Sequence, residues 1–300
     1  MNIYFPIAEI NANIYFIAGI GMIAGFLSNI FGIGGGFIAT PFLIAIGVPP
    51  YIATACATQQ IIGSSLMGVL TKLKPISLDC KLAIIMAVFG IMGSYVGVII
   101  VQKLKTIGQV DILISLSYVI VMTTTAFSIL LRFALNGKKK KHTKQSFVET
   151  LPWQVDFPHS GKKISIIFLG FLGFVVGILT GIMGIGGGFI VVPIMTYTIG
   201  IKKNVIIGTS LLQIFIITLF VTAMNIFKTE SLDLLLGIDL IVGGVLGSFI
   251  GNVVGRFIKF EHINFLLALL ILLVSLFFVV DLVKTPGKED MFTLEAVNQN

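Results

Sequence analysis

The chain has 300 residues, of which 56% are hydrophobic and 11% charged, with a formal net charge of +7. A soluble domain carries about 25% charged residues, so this composition cannot cover a water-exposed surface and specifies an integral membrane protein. The length leaves room for about eight to ten spans of ~20 residues, and the basic excess reads as a topology signal rather than a nucleic-acid footprint.

Between Ile10 and Thr71 no Asp, Glu, Lys, Arg or His occurs, which is enough sequence for about three spans. Gly and Pro divide this stretch into Ile14 to Phe31, a short run from Phe37 to Gly47 closed by Pro49-Pro50, and Ile52 to Leu70. Lys72, Lys74, Asp79 and Lys81 form a polar loop before a span from Leu82 to Gln102. Lys103, Lys105 and Asp111 mark the next loop, and Ile112 to Leu131 the next span. A long polar connection follows, with Lys138 to Lys141, Lys144, Pro152, Trp153 and Pro158. Ile164 to Met183, a short run Phe189 to Ile199, Asn204 to Phe227, Leu234 to Gly255 and Ile263 to Val280 complete the spans, and Asp281 opens a polar tail. No Lys or Arg precedes Lys72, so no cleavable signal peptide is expected. Cys56 and Cys80 are isolated, have no metal or disulfide spacing, and are expected to be buried small residues.

One stretch occurs twice. Gly32-Ile33-Gly34-Gly35-Gly36-Phe37-Ile38 with Pro41 matches Gly184-Ile185-Gly186-Gly187-Gly188-Phe189-Ile190 with Pro193 at an offset of 152. Gly21 and Gly25 match Gly173 and Gly177 at the same offset, and Gln60 matches Gln213 after one inserted residue. Gly90, Gly93, Ser94 and Gly97 match Gly244, Gly247, Ser248 and Gly251, a small-residue face suited to close helix packing. Glycine in a helix interior costs roughly 1 kcal/mol relative to Ala, so each cluster is expected to break a membrane helix.

Placing the basic linker in the cytoplasm decides how the halves sit. If the short runs complete a crossing, each half has five segments, the halves are inverted, and Lys202, Lys203, Arg256 and Lys259 fall inside. If the short runs only dip, each half has four crossings and those residues swap sides, so the positive-inside rule favours five; Lys103 and Lys105 fall outside either way, against the rule. Broken helices meeting from opposite sides build substrate sites in many secondary transporters.

A helix start leaves N–H groups without acceptors, and the positive end of its dipole favours an oxyanion. The expected substrate site comprises Gly34, Gly35, Gly36, Gly186, Gly187 and Gly188, with Gln60, Gln213 and Asn29 beside them. It needs no buried Lys or Arg, whose insertion would cost several kcal/mol. Thr40, Thr54, Thr58, Gln59, Ser64 and Ser65 surround the first cluster; Thr180, Thr196, Thr209, Ser210 and Thr218 surround the second. Interhelical hydrogen bonding is the alternative for all of these. Asp239 is the one carboxylate clearly within a span and is the candidate for proton coupling. No metal or cofactor is expected, and the three histidines receive no role.

The doubled Gly-x-Gly-Gly-Gly-Phe with its Pro, together with the Thr54 to Gly63 run and its counterpart Ile207 to Ile216, resembles the TauE/SafE sulfite exporter family. The resemblance implies an all-α polytopic anion permease of the plasma membrane, moving sulfite, sulfonates, thiosulfate or related anions. It covers nearly the whole chain except the basic linker and the tail. The expected organisation is a first membrane repeat over 1–132, a cytoplasmic linker over 133–163, a second repeat over 164–283 and a polar tail over 284–300. The expected partners are a small anion and the bilayer, without nucleic acid; homo-oligomer formation stays open. An intramembrane enzyme, or an assembly protein using the glycine faces for packing, are the alternatives.

Overall fold

The computed structural model describes residues 2–8, 10–72, 78–135, 152–157, 160–229, 231–255 and 260–284. Lys138 to Lys141, Lys144, His142 and His159 lie outside these residues, as does the tail from 285. A hairpin of β1 (Asn2–Phe5) and β2 (Ile10–Asn13) leads into α1 (Ile14–Phe31), then α2 (Gly36–Ala45), α3 (Pro50–Thr71), α4 (Cys80–Ile107) and α5 (Val110–Leu135). A second hairpin, β3 (Gln154–Phe157) and β4 (Lys162–Ser165), leads into α6 (Ile166–Met183). Then come α7 (Gly188–Ile194), running on as a π turn over Met195–Ile199, and α8 (Lys203–Met224), running on as a π turn over Asn225–Thr229. Helices α9 (Leu234–Gly255) and α10 (Phe260–Lys284) close the order.

The boundaries follow local chemistry. Asp79 caps α4 by accepting the Leu82 amide at 3.2 Å, and Gly108, at φ 77°, ends it in the left-handed conformation. Pro50 opens α3, where its missing N–H has no helical partner to lose. Among the described residues six of the ten helices are long and apolar enough to span a membrane by length and composition. Helix α3 carries Gln59, Gln60, Ser64 and Ser65 and is too polar for lipid, yet these four and most of the helix are buried among other helices. Helix α2 is apolar but only 10 residues long. Large apolar side chains stay exposed on the outer helices, as with Phe171, Phe127 and Leu246, where lipid takes the place of water.

The two halves interlock. Helix α1 packs mainly on α9, and α6 on α4; α3 packs on α8, and α5 on α10. The first two contacts are backbone to backbone. A β-carbon on Gly25 would lie 2.1 Å from the Gly244 carbonyl oxygen, and one on Gly177 would lie 2.0 Å from that of Gly90. Gly21 meets Leu240 and Gly25 meets Gly244, so α1 and α9 run in the same direction; Gly173 against Met86 and Gly177 against Gly90 set the same sense for α6 and α4.

Each end of the bundle has its own clasp. At one end Asp233 accepts the amides of Ile7 and Ala8 in the first hairpin turn, at 3.1 and 3.3 Å, while capping α9 through Leu235 and Leu236. At the other, Asp79 caps α4 and accepts the Ser160 amide and hydroxyl of the second hairpin turn, at 3.2 and 2.8 Å. Lys105, out of place by the charge rule, lies at the first end: its ammonium donates to Thr229 O at 2.6 Å and sits over the Tyr51 ring.

The second hairpin begins inside the stretch expected as linker, 133–163, and ends two residues beyond it at Ser165, and its position matches the first hairpin at the repeat offset. Phe5 and Phe157 are both fully buried. Cys56 is buried as expected, but Cys80 is exposed, because it occupies the first position of α4 at the end of the bundle.

Candidate functional site

Helix α1 stops at Gly32, whose amide still reaches Ser28 O at 2.8 Å, and α2 restarts at Gly36. The residues between turn the chain through left-handed conformations, with φ of 96° at Gly34 and 73° at Gly35. Gly186 and Gly187 repeat this, at 80° and 69°. A side chain in such a conformation costs roughly 1–2 kcal/mol, which accounts for the glycines in both copies.

The structure brings the two breaks into contact. A β-carbon on Gly36 would sit 2.3 Å from Gly184 O, and one on Gly188 would sit 2.3 Å from Gly32 O; Gly34 faces Ile185 O. Each break therefore forms a wall of the other, and in this conformation they are packed backbone to backbone. The Gly36 amide donates to Gly34 O at 2.9 Å, so it is not free for a ligand as the sequence had suggested. The amides of Gly34, Gly35, Gly186 and Gly187 have no protein acceptor among the described residues.

Gln60 in α3 and Gln213 in α8 are both fully buried. Neither the Oε1 nor the Nε2 of either residue has a hydrogen-bond partner among the described residues. Gln60 is wedged between the first break and α9. Its Oε1 is 3.3 Å from where a Gly35 β-carbon would be, and its Nε2 2.8 Å from where one on Gly244 would be. A buried polar group left unsatisfied costs about 1–3 kcal/mol, and two amides at equivalent positions of the repeat are left so among the described residues.

Asn29 is placed differently from expectation. Its Nδ2 donates to Ser248 O and Oγ at 2.9 and 3.0 Å, and its side-chain oxygen accepts from Lys72, which also donates to Asn29 O at 2.8 Å. Ser248 Oγ in turn donates to Ser64 O at 2.8 Å. Asn29 thus belongs to a clasp joining α1, α3 and α9, with its amide satisfied by protein. Most of the hydroxyls expected around the breaks, such as Thr58, Ser65, Thr180 and Thr218, donate to carbonyls of their own helix. Ser210 does more: it caps the carbonyl of Gly32 at 2.8 Å, just as Tyr118, buried in α5, caps that of Met183 at 2.9 Å. Asp239 is half-buried in α9 with Oδ2 shielded and unpartnered, two residues past Gly237, against which Gln59 packs. A cavity of about 250 Å³ lies between α5 and α7, lined in part by Thr124, Thr125, Ser128 and Pro193.

Lys72, Tyr118 and the aspartate pair Asp79 and Asp233 escaped the sequence reading. For the aspartates a signal exists: they match at the offset of the small-residue face, and Phe5-Pro6 and Phe157-Pro158 match at that of the glycine clusters. Lys72 gives only its position as the first basic residue of the chain, and Tyr118 no signal at all.

The family model described as Sulfite exporter TauE/SafE matches residues 17–278. The probable membrane transporter protein YjnA of Bacillus subtilis is 27% identical over 259 residues, covering 85% of this chain and 96% of that protein. The probable membrane transporter protein YunE of the same organism is 24% identical over 264 residues, covering 85% and 93%. Sulfite exporter TauE/SafE family protein 1 of Arabidopsis thaliana is 30% identical over 116 residues, 36% of this chain and 26% of that protein. No solved structure matches.

Proposed function

The chain belongs to the sulfite exporter TauE/SafE family and is a multi-pass membrane transporter; we propose that it is a secondary transporter of a small sulfur-containing or organic anion in the plasma membrane. The substrate lodges where the two breaks meet, between the amides of Gly34, Gly35, Gly186 and Gly187 and the side chains of Gln60 and Gln213. The observation that carries this reading is the pair of fully buried glutamines with unpartnered amides, at equivalent positions in α3 and α8. The described conformation is closed, and the breaks must part for an anion to enter.

The halves, 1–132 and 164–283, are inverted about this point, with the 133–163 connection on the cytoplasmic side and the tail over 284–300 outside. Supporting this, the starts of α1, α3 and α9 meet at one end of the bundle, through Asp233 with Ile7 and Cys56. The starts of α4 and α8 meet at the other, where the Asp79 amide donates to Thr209 Oγ1 at 3.0 Å. Alternating access then amounts to rocking one half against the other. Asp239 is the coupling group: replacing it with Asn should leave uptake insensitive to an imposed pH gradient, and retained sensitivity would clear it of that role.

The test is uptake of labelled sulfite, thiosulfate and small sulfonates into proteoliposomes. Gly35→Val or Gly187→Val should abolish uptake in protein that still inserts, whereas normal uptake by both variants would remove the site. The tight contact of the breaks favours a second reading, an assembly protein whose glycines serve packing alone. That reading expects no anion uptake by the wild-type protein.

A further inference from the structure

We propose that the site selects an oxyanion that still carries a proton, an inference that rests on the transporter reading above. Gln60 and Gln213 each leave both ends of the side-chain amide unpartnered in a fully buried setting. Whichever way the amide is turned, one end offers N–H donors and the other a carbonyl acceptor. The donors suit any oxyanion, and the unpartnered Gly35 amide beside Gln60 adds to them. The acceptor ends do not. A bare oxyanion brings only lone pairs to a carbonyl oxygen, so Oε1 stays unsatisfied and is repelled, whereas an anion bearing an acidic O–H donates to it.

Charge points the same way. Gln60 and Gln213 are neutral, and among the described residues no Lys or Arg donates to either of them to offset a second negative charge. A dianion would therefore be desolvated against dipoles alone, while a monoanion asks about a quarter as much of them, since the desolvation cost grows with the square of the charge. Hydrogensulfite meets both conditions. Methanesulfonate has the single charge but no O–H, and sulfate has neither at neutral pH.

The experiment uses the full chain in proteoliposomes at one mildly acidic pH, where sulfite is largely the monoanion. Uptake of labelled sulfite is compared with that of methanesulfonate under the same gradient, so that charge is matched and the O–H is the variable. The expected preference for sulfite is on the order of ten- to a hundredfold, the penalty of leaving a buried acceptor unpaired. Gln60→Met and Gln213→Met, each removing both ends of the amide, should narrow that preference. Methanesulfonate entering as fast as sulfite overturns the inference and leaves the transporter reading standing. A preference unchanged in both variants also overturns it. Uptake of neither anion overturns this inference and tells against the sulfur-anion reading on which it rests. Should a variant fail to insert, the wild-type ratio alone decides.

Discussion

The two breaks are near copies, but the helices that lead into them are held in different ways. The last turn of α1 is fastened by side chains: Asn29 donates to Ser248 on α9 and accepts from Lys72, and Ser248 in turn donates to Ser64 on α3. In α6 the residue at the place of Asn29 is Gly181, and a β-carbon there would lie 2.7 Å from Ser94 O on α4. Ser94, the counterpart of Ser248, donates only to Ile91 of its own helix. One approach is thus a hydrogen-bonded network and the other a bare backbone contact. At the axis the closest contacts are matched, Gly36 against the Gly184 carbonyl and Gly188 against that of Gly32, although Gly34 meets Ile185 O and Gly186 has no such carbonyl opposite it. Away from the axis a residue has no twin opposite it, and the duplicated sequence has drifted.

The most disruptive way to break this comparison is to fill the axis. Gly36→Val and Gly188→Val each put carbon 2.3 Å from an opposing carbonyl oxygen, and should each destabilise the fold by about 1–3 kcal/mol or more. The two losses should be equal, as read from thermal unfolding in detergent; a large inequality would show that the breaks do not constrain each other alike. A smaller effect sharpens the contrast between the approaches. Ser248→Ala removes contacts to two other helices and should cost about 1 kcal/mol, whereas Ser94→Ala should change stability by no more than ~0.5 kcal/mol. Equal costs would mean that the network on α1 adds nothing.

Much of this architecture was legible in the residues. Apolar runs locate the long helices to within a few positions, and the doubled glycine clusters locate both breaks, since an unfavourable helix residue repeated at one offset has few explanations. Two things were not legible. Helix α3 is recognisable as a continuous run, but its polar residues gain their shelter from α8 and α9, which no local pattern announces. Whether a buried amide is free or occupied is likewise a matter of neighbours: Asn29 and Gln60 look alike in sequence, yet Ser248 and Lys72 satisfy one, and the other finds no partner among the described residues. The hairpins were missed because hydropathy reading passes over short polar segments, even where a repeated Phe-Pro marks them.

The fastening of the first hairpin to Asp233 also bears on how the protein is made. Ile7 and the carboxylate that holds it stand 226 residues apart, and α1 rests on α9, among the last helices to leave the ribosome. The opening segments of the polypeptide must therefore wait in the bilayer without their lasting neighbours through most of synthesis. Truncations before Asp233 would leave α1 inserted but unclasped, a ready target for membrane quality control.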